Sequence, residues 1–436
     1  MKAIKRDEQK LKDSGIDWVG KMPKAWNLIA NKYIMHKEKN ICDKWNNEDV
    51  LSLTMNGVIV RDLVNPTGKM PTTFDGYQYI NKGDLLMCLF DIDVTPRCVG
   101  RVFNEGVTSP AYSNFKLNDN AKLGYYYYYY LMMDHTKELL HLAKNLRHSF
   151  TEEQLGVLKV PLPPINEQQA IANYLDDRCS KIDAIIAEAK ANIEEYKELK
   201  KAKLKSIILG GMCSNEEKKD SGISWLGKIP KHWNIGKVKY GALKVGSGKT
   251  PRGGAEVYST EGILFLRSQN IYNEGLKLDN PYFITEEIDE DMKNTRVEPN
   301  DVLLNITGGS IGRCCLYPED AGRANVNQHV SIIRVNTNVF RPQYMHLFWI
   351  SPVGQTAIEQ YQTGGNREGM SADAIKNTPI PMISLQEQDE IIAYLYPYFE
   401  TVDSLISVKQ SLIEDLEAYK KSLIYEVVTG KRKVVA

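Results

Sequence analysis

A fourteen-residue segment occurs twice in this chain. Residues 13–26 read DSGIDWVGKMPKAW and residues 220–233 read DSGISWLGKIPKHW, 207 positions later. A second repeated segment follows each copy. Residues 161–175 read PLPPINEQQAIANYL and residues 379–395 read PIPMISLQEQDEIIAYL, so that Glu167–Gln168 recurs as Glu387–Gln388, 220 positions on. The period is far too long for a solenoid of 20–50-residue units. It describes a box, a variable region, a Pro-rich lead-in and a helix, and then all four again. Such a duplication suits a pseudo-symmetric molecule that meets a pseudo-symmetric target or two copies of one partner.

The two helices are long. Ile171, Leu175, Ile182, Ile186, Ala189, Ile193, Tyr196, Leu204 and Ile207 follow at steps of 3 and 4 or their sums, which is one stripe of a helix. Gly210–Gly211 supply a stop. The second copy runs through Ile391, Leu395, Val402, Leu405, Leu412, Leu416, Tyr419, Leu423 and Val427 to Gly430. Each stretch of about 40 residues makes a helix of roughly 60 Å. A narrow stripe on so long a helix needs an equally long partner, so the two copies are expected to pair antiparallel.

Between boxes and helices, residues 27–160 and 234–378 mix short apolar runs with turns. Examples are DLLMCLF at 84–90, GILFL at 262–266, DVLLNI at 301–306 and VSIIRV at 330–335, with an apparent helix over 342–360. The expectation is a mixed α+β (α/β-type) architecture with two domains of curved mixed sheet. These regions share little sequence, so a common frame carries two different readers.

Composition constrains less. At 436 residues there is room for two or three domains. Lys+Arg and Asp+Glu both number 55, so net charge predicts no partner, although clustered basic residues can still bind nucleic acid. The opening MKAIKRDEQKLKDSG lacks an apolar segment, and no run of about 18 apolar residues occurs; neither a signal peptide nor a membrane span is expected. The seven cysteines (42, 88, 98, 179, 213, 314 and 315) form no C-x-x-C pair. That predicts neither a zinc site nor a disulfide framework, and it fits a reducing cytoplasm.

Together these segments resemble the specificity (S) subunit of type I restriction–modification systems over essentially the whole length. The resemblance rests on the tandem D-S-G-I-x-W-[VL]-G-K-[MI]-P-K-x-W boxes, the Pro-rich/Glu-Gln segments at 161–168 and 379–388, and the helix end YKKSLIYEVVTGK at 419–431. It implies a first target recognition domain at residues 1–163 and a central spacer helix at 164–211. A second recognition domain at 212–381 and a C-terminal spacer helix at 382–436 complete it. Each recognition domain would read one half of a bipartite site in double-stranded DNA. The helices would fix the spacing between half-sites and dock two methyltransferase (M) subunits, with restriction/translocase (R) subunits outside. The chain itself would be no enzyme and hold no cofactor or metal. The alternative is an orphan DNA-binding or assembly protein on the same fold, without an active methyltransferase partner. A free-standing enzyme is disfavoured by the missing cofactor and catalytic motifs.

The second domain carries the family's recurring pieces in order: GSGKTP at 246–251, LRSQNI at 266–271, LNITGGSIG at 304–312, Asn327–Gln328 and residues 370–381. The first departs from that wording, with MNGVIVRD at 55–62, TPRCVGR at 95–101 and TSPAYSNF at 108–115. The halves are therefore expected to read different sequences.

Sharper motifs dissolve on inspection. Gly248-Lys249-Thr250 lacks the glycine a P-loop needs five positions before Gly248, since Leu243 stands there. Asp279-Asn280-Pro281-Tyr282 lacks the second proline of an amino-methyltransferase loop. The tyrosine run 125–130 could stack on bases, but a buried or inter-domain face is the favoured reading.

Base edges need donors and acceptors on exposed loops. The candidates in the first domain are Arg61, Arg97, Arg101, Ser113 and Asn114. Those in the second are Lys249, Arg252, Arg267, Gln269, Asn270, Arg313 and Arg367, the last in a Gly-Gly-Asn-Arg loop that lets backbone approach phosphate.

Overall fold

A computed structural model describes the chain apart from residues 67–69, 96, 144–148, 213–215, 363–368 and 436. The loop around Arg367 and the position of Cys213 lie outside the described residues. Two compact units are present, one of residues 1–190 with 410–436 and one of residues 191–409. Each is a mixed α+β body built on sheets, as the sequence pattern anticipates.

In the first unit, Leu85–Met87 lies between Val99–Arg101 and Ser113–Leu117, and Met35–Lys37 completes the antiparallel sheet. Leu85, Leu86 and Met87 are fully buried, because this central strand is covered on both faces. A three-stranded sheet of Gly106–Thr108, Tyr77–Ile80 and Ile41–Cys42 stands beside it. The helix Leu123–His135 crosses the core and carries the tyrosine run. Tyr125, Tyr126, Tyr128, Tyr129 and Tyr130 are buried, so five of the six rings form core and not a stacking platform. Lys2–Lys5 pairs antiparallel with Arg432–Val435.

In the second unit, Ala242–Ser247, Val330–Val335, Val302–Asn305 and Cys314–Leu316 form one antiparallel sheet. Tyr282–Ile284, Ile263–Leu266, Ala324–Val326 and Arg296–Val297 form another, in which Ile263–Leu266 and Ala324–Val326 run parallel. The helix expected over 342–360 is two helices, Pro342–Ile350 and Pro352–Tyr361. Pro352 offers no N–H and forces Ser351 out of the helical region, and the Ser351 hydroxyl then caps Gly354 N–H.

The long helices span Ile165–Gly210 and Leu385–Val428. Each passes from one unit into the other. Within the first unit their segments run antiparallel, with Lys420 Nζ bonding Asp183 at 2.6 Å. Within the second they do so again, with Lys200 Nζ on Asp403 at 2.7 Å. The first stripe is buried as expected, except that Tyr196 is half-exposed. The second is displaced in its middle. Leu405, Leu412 and Tyr419 are exposed, while Ile406, Lys409, Ile413, Leu416 and Lys420 take the half-buried positions. Leu405–Ile406 and Leu412–Ile413 are adjacent apolar pairs, so spacing alone could not choose between them. Two lysines stand at half-buried positions of this stripe, and Lys420 reaches from its own to the Asp183 carboxylate of the other helix.

Among the described residues no helix is long and apolar enough to cross a membrane.

Candidate nucleic-acid interface

Each box is a self-bonded loop tied to the long helices. Asp13 Oδ1 accepts from Gly15 N–H at 2.9 Å and Asp220 Oδ1 from Gly222 N–H at 2.8 Å. Ser14 and Ser221 hydroxyls accept from Ile16 and Ile223 N–H, and Ser14 and Ser221 N–H close the loop on Gly20 and Gly227 carbonyls. Gly15 and Gly222 have φ of +68° and +78°, which is why the box needs glycine there. The loop delivers a tryptophan. Trp26 Nε1 donates to Glu167 at 3.0 Å and Trp233 Nε1 to Glu387 at 2.9 Å, each glutamate at the start of a long helix. The same rings pack on the glycines that end the other helix: a Cβ on Gly430 would stand 2.7 Å from Trp26, and one on Gly211 3.1 Å from Trp233. Each box thus fastens the start of one long helix to the end of the other.

The glutamine of each pair works inward. Gln168 and Gln388 are fully buried. Gln168 accepts from Lys122 N–H and donates to the carbonyls of Asn120 and Pro163. Gln388 accepts from Arg341 N–H and donates to those of Val339 and Ile383. Both therefore satisfy the orphan amide that opens a domain helix. Burial pushes the Glu387 carboxyl up, but hydrogen bonds from His232, Trp233 and Ser384 outweigh it and hold Glu387 below the usual carboxylate range.

On this frame the second unit gathers polar groups at one end of its antiparallel sheet. Gly248 lies so close to the 326–327 backbone that a Cβ would fall 2.0 Å from Val326 O. Lys249 N–H donates to that carbonyl, which leaves the Lys249 side chain exposed. Thr250 Oγ1 bonds Gln328 Oε1, Gln328 Nε2 meets His329 at 3.3 Å, and His329 Nδ1 meets Thr307 Oγ1 at 2.6 Å. Exposed Gly308 and Gly309 follow Thr307, with open space where a Cβ would sit. This is a donor and acceptor surface on turns, the chemistry that base edges and phosphates require. Thr307, His329 and Gln328 were not singled out as contacts from sequence. The signal was present for Thr307 and Gln328, since each follows a buried strand in a segment already recognised as recurrent, whereas His329 lies just outside one.

The other candidates of this unit separate. Arg252 and Gln269 are exposed. Arg267 lies with its guanidinium carbon 3.9 Å from the Tyr282 ring centroid, and Arg313 with its own 4.5 Å from that of Tyr272. Asn270 is a correction to the expectation of an exposed loop. It is buried, accepts from Arg267 N–H at 3.0 Å and donates to Lys277 O at 2.9 Å, so it shapes the turn that presents Arg267.

In the first unit Arg61 is half-buried just past the hairpin strand Gly57–Val60. Arg97 and Arg101 line a cleft of about 1010 Å³ with Phe103, Tyr127, Asp134, His135, Asp176, Asp183, Lys190, Lys420 and Lys421. Arg97 reaches the Tyr127 hydroxyl at 3.5 Å. Arg101 is held by Asp176 of the first long helix at 2.7 and 3.2 Å and covered by the Tyr127 ring at 4.5 Å, so it ties domain to helix. Burial, with Arg97 nearby, pushes the His135 pKa down to about 4, and the imidazole is neutral at pH 7. Ser113 and Asn114 also depart from expectation. Both are buried in the strand Ser113–Leu117, where Ser113 bonds Glu152 at 2.8 Å and Asn114 bonds Asp84 at 2.8 Å. Short polar residues after a proline read as a turn, but the strand register places them inside.

A family model described as "Type I restriction modification DNA specificity domain" matches residues 31–195 and again residues 230–415. The chain is 25% identical over 286 residues to the type I restriction enzyme EcoBI specificity subunit of Escherichia coli, covering 62% of this chain and 58% of that one. It is 28% identical over 295 residues to the putative type I restriction enzyme MjaX specificity subunit of Methanocaldococcus jannaschii, covering 66% and 62%. The match thus spans less than two thirds of either relative. In fold, the chain resembles one from a structure of type I R-M complex assembly and conformational transition, with a TM-score of 0.71, 14% identity and coverage of 94% and 99%. The HsdS subunit from Thermoanaerobacter tengcongensis matches with a TM-score of 0.51, 12% identity and coverage of 94% and 98%.

Proposed function

Because the chain belongs to the family of the type I restriction modification DNA specificity domain, we propose that it is the subunit that chooses the DNA site in a type I restriction–modification complex. The carrying observation is that the family model fits twice, once on each of two units whose frames match and whose interiors differ. Each unit reads one half of a bipartite duplex site, and the long helices set the interval between half-sites. Two methyltransferase subunits dock on the repeated frame, and restriction subunits join outside them. The exposed Leu405, Val408, Leu412 and Tyr419 of the second long helix offer apolar surface for such partners. The chain itself is non-catalytic and works in the cytoplasm.

The base and phosphate contacts of this reading are Lys249, Arg252, Arg267, Gln269, Arg313 and Arg367 in the second unit and Arg61 and Arg97 in the first. Ser113, Asn114, Asn270 and Arg101 act behind them by fixing the strands and turns. Lys249→Ala in the assembled methyltransferase is expected to weaken binding similarly for cognate and unrelated duplexes, and to reduce the slope of log affinity against log salt by about 1. Anisotropy titrations at several salt concentrations measure both, and an unchanged slope removes Lys249 from the phosphate contacts.

Genome-wide mapping of methyladenine tests the function itself. A bipartite motif is expected that disappears on deletion of the gene. An unaltered methylation map would favour the orphan DNA-binding protein.

A further inference from the structure

One short motif recurs at a place the reading function does not use. Directly after the strand that follows its box, Asn27–Ala30 in one and Asn234–Lys237 in the other, each unit makes a single 3₁₀ turn, Asn31–Tyr33 and Val238–Tyr240. Lys32-Tyr33 and Lys239-Tyr240 are separated by 207 positions, the interval of the boxes. Backbone bonds that flank the two turns correspond. Asn31 N–H donates to Leu158 O at 3.0 Å and Val238 N–H to Thr378 O at 3.1 Å; Ile34 O accepts from Asn118 N–H and Gly241 O from Asn336 N–H, both at 2.8 Å. Each lysine lies over its neighbouring ring, at 5.1 Å in the first unit and 5.8 Å in the second. The rings are nevertheless bare: Tyr33 is 58% and Tyr240 61% exposed. A second bare apolar side chain accompanies each one. Val157, 65% exposed, ends the helix packed on the first turn, and Leu243, 69% exposed, follows the second by three residues.

We propose that these two turns are twin docking points for two copies of one protein partner, each offering a tyrosine ring to an apolar pocket and a lysine to its acidic rim. The proposal rests on the reading above, in which that partner is the methyltransferase subunit. Residues that read unlike half-sites should differ between the units, whereas these are the same, so they serve something common to both. DNA phosphates are also common to both, but the position disfavours them. The strand Ala242–Ser247 starts beside Tyr240 and ends at the Lys249 turn, which puts about 20 Å between the lysine-tyrosine turn and the polar loops. In the first unit the turn adjoins the helical frame. Tyr33 O accepts from the side chains of Asn118 and Asn120, and Asn120 O accepts from Gln168 at the start of the first long helix. A tyrosine with a neighbouring cation is the kind of anchor that concentrates binding energy in an interface.

The test uses the full chain co-expressed with its methyltransferase, with stoichiometry read by native mass spectrometry and affinity by titration. K32E/Y33A and K239E/Y240A each change only exposed side chains, and unchanged circular dichroism and melting confirm folding. Each pair is expected to weaken one of two binding events by roughly tenfold or more, giving one copy bound at concentrations where the wild type holds two, and the quadruple variant holds none. Two copies on the quadruple variant at wild-type affinity would overturn the docking proposal while leaving the function intact. Unchanged stoichiometry with DNA affinity lowered for every sequence would overturn it in favour of phosphate contacts. A wild-type chain that captures no methyltransferase would sink the functional reading and the docking proposal together.

Discussion

Replacing Gln388 by leucine is expected to lower the stability of the second unit by about 2–4 kcal/mol, since three backbone groups, one buried and two part-buried, lose the buried Gln388 amide as partner and each such loss costs about 1–3 kcal/mol when fully buried. The groups are Arg341 N–H, Val339 C=O and Ile383 C=O. The leucine recovers part of that through its own burial. Amide exchange at Arg341 reads the effect locally, which matters because a two-unit chain need not unfold in one step. Faster exchange at Arg341, with the first unit unaffected, is the expected pattern. Gln168→Leu should reproduce it at Lys122 and leave the second unit alone. An Arg341 amide as protected in the variant as in the wild type would mean that the buried network does not hold the helix start.

The second large effect is expected at Asp289. Its carboxylate is buried, with Oδ1 accepting from Asn325 at 3.0 Å and Oδ2 from Arg296 at 2.8 Å and Arg323 at 2.6 Å. Burial pushes this carboxyl up, and the hydrogen bonds from Asn325, Arg296 and Arg323 outweigh it and hold Asp289 below the usual range. Asp289→Ala removes one acceptor from the buried Asn325 amide and from two partly exposed guanidinium groups that keep Glu290 and Glu286, a loss of about 1.5–3 kcal/mol for hydrogen bonds to a buried charged group. The pH dependence follows from the sign of the shift. A depressed folded pKa means the contribution is complete above the unfolded value of about 3.9 and is lost as pH falls through the lower folded value. Denaturant titrations should therefore show a wild-type advantage that is level from pH 5 to 8 and shrinks below about pH 4. A difference that stays level into acid would show that the carboxylate is not the source.

How far the sequence could be read depended on what physics each signal carried. The boxes and Glu-Gln pairs were visible because repetition needs no structural interpretation. Their role was not visible: nothing in the words DSGI or KMPK says that the closing tryptophan will meet Gly430, which lies far along the chain. The second helix stripe went astray at Leu405 and Leu412 because each is followed by isoleucine, and the true stripe passes through lysines that a hydrophobic count skips. Asn114 and Asn270 were read as loop donors because asparagine favours turns. Buried asparagine is also what fixes a turn from behind, and composition does not separate the two roles. The tyrosine run was placed correctly because six consecutive rings on a helix cannot all face outward on a stable domain.

The fastening of each box to two helix ends has a consequence for how the chain acquires its shape. The second unit is one continuous stretch, residues 191–409, whereas the first joins residues 1–190 to 410–436 across everything between. Closing that connection carries the entropy cost of a loop more than 200 residues long, reduced by whatever the enclosed unit has already ordered. On a ribosome Trp233 meets Gly211 only 22 residues after it is made, while Trp26 waits for Gly430. The usual order, in which the earlier domain is finished first, is inverted: the half synthesised first is the last to be completed.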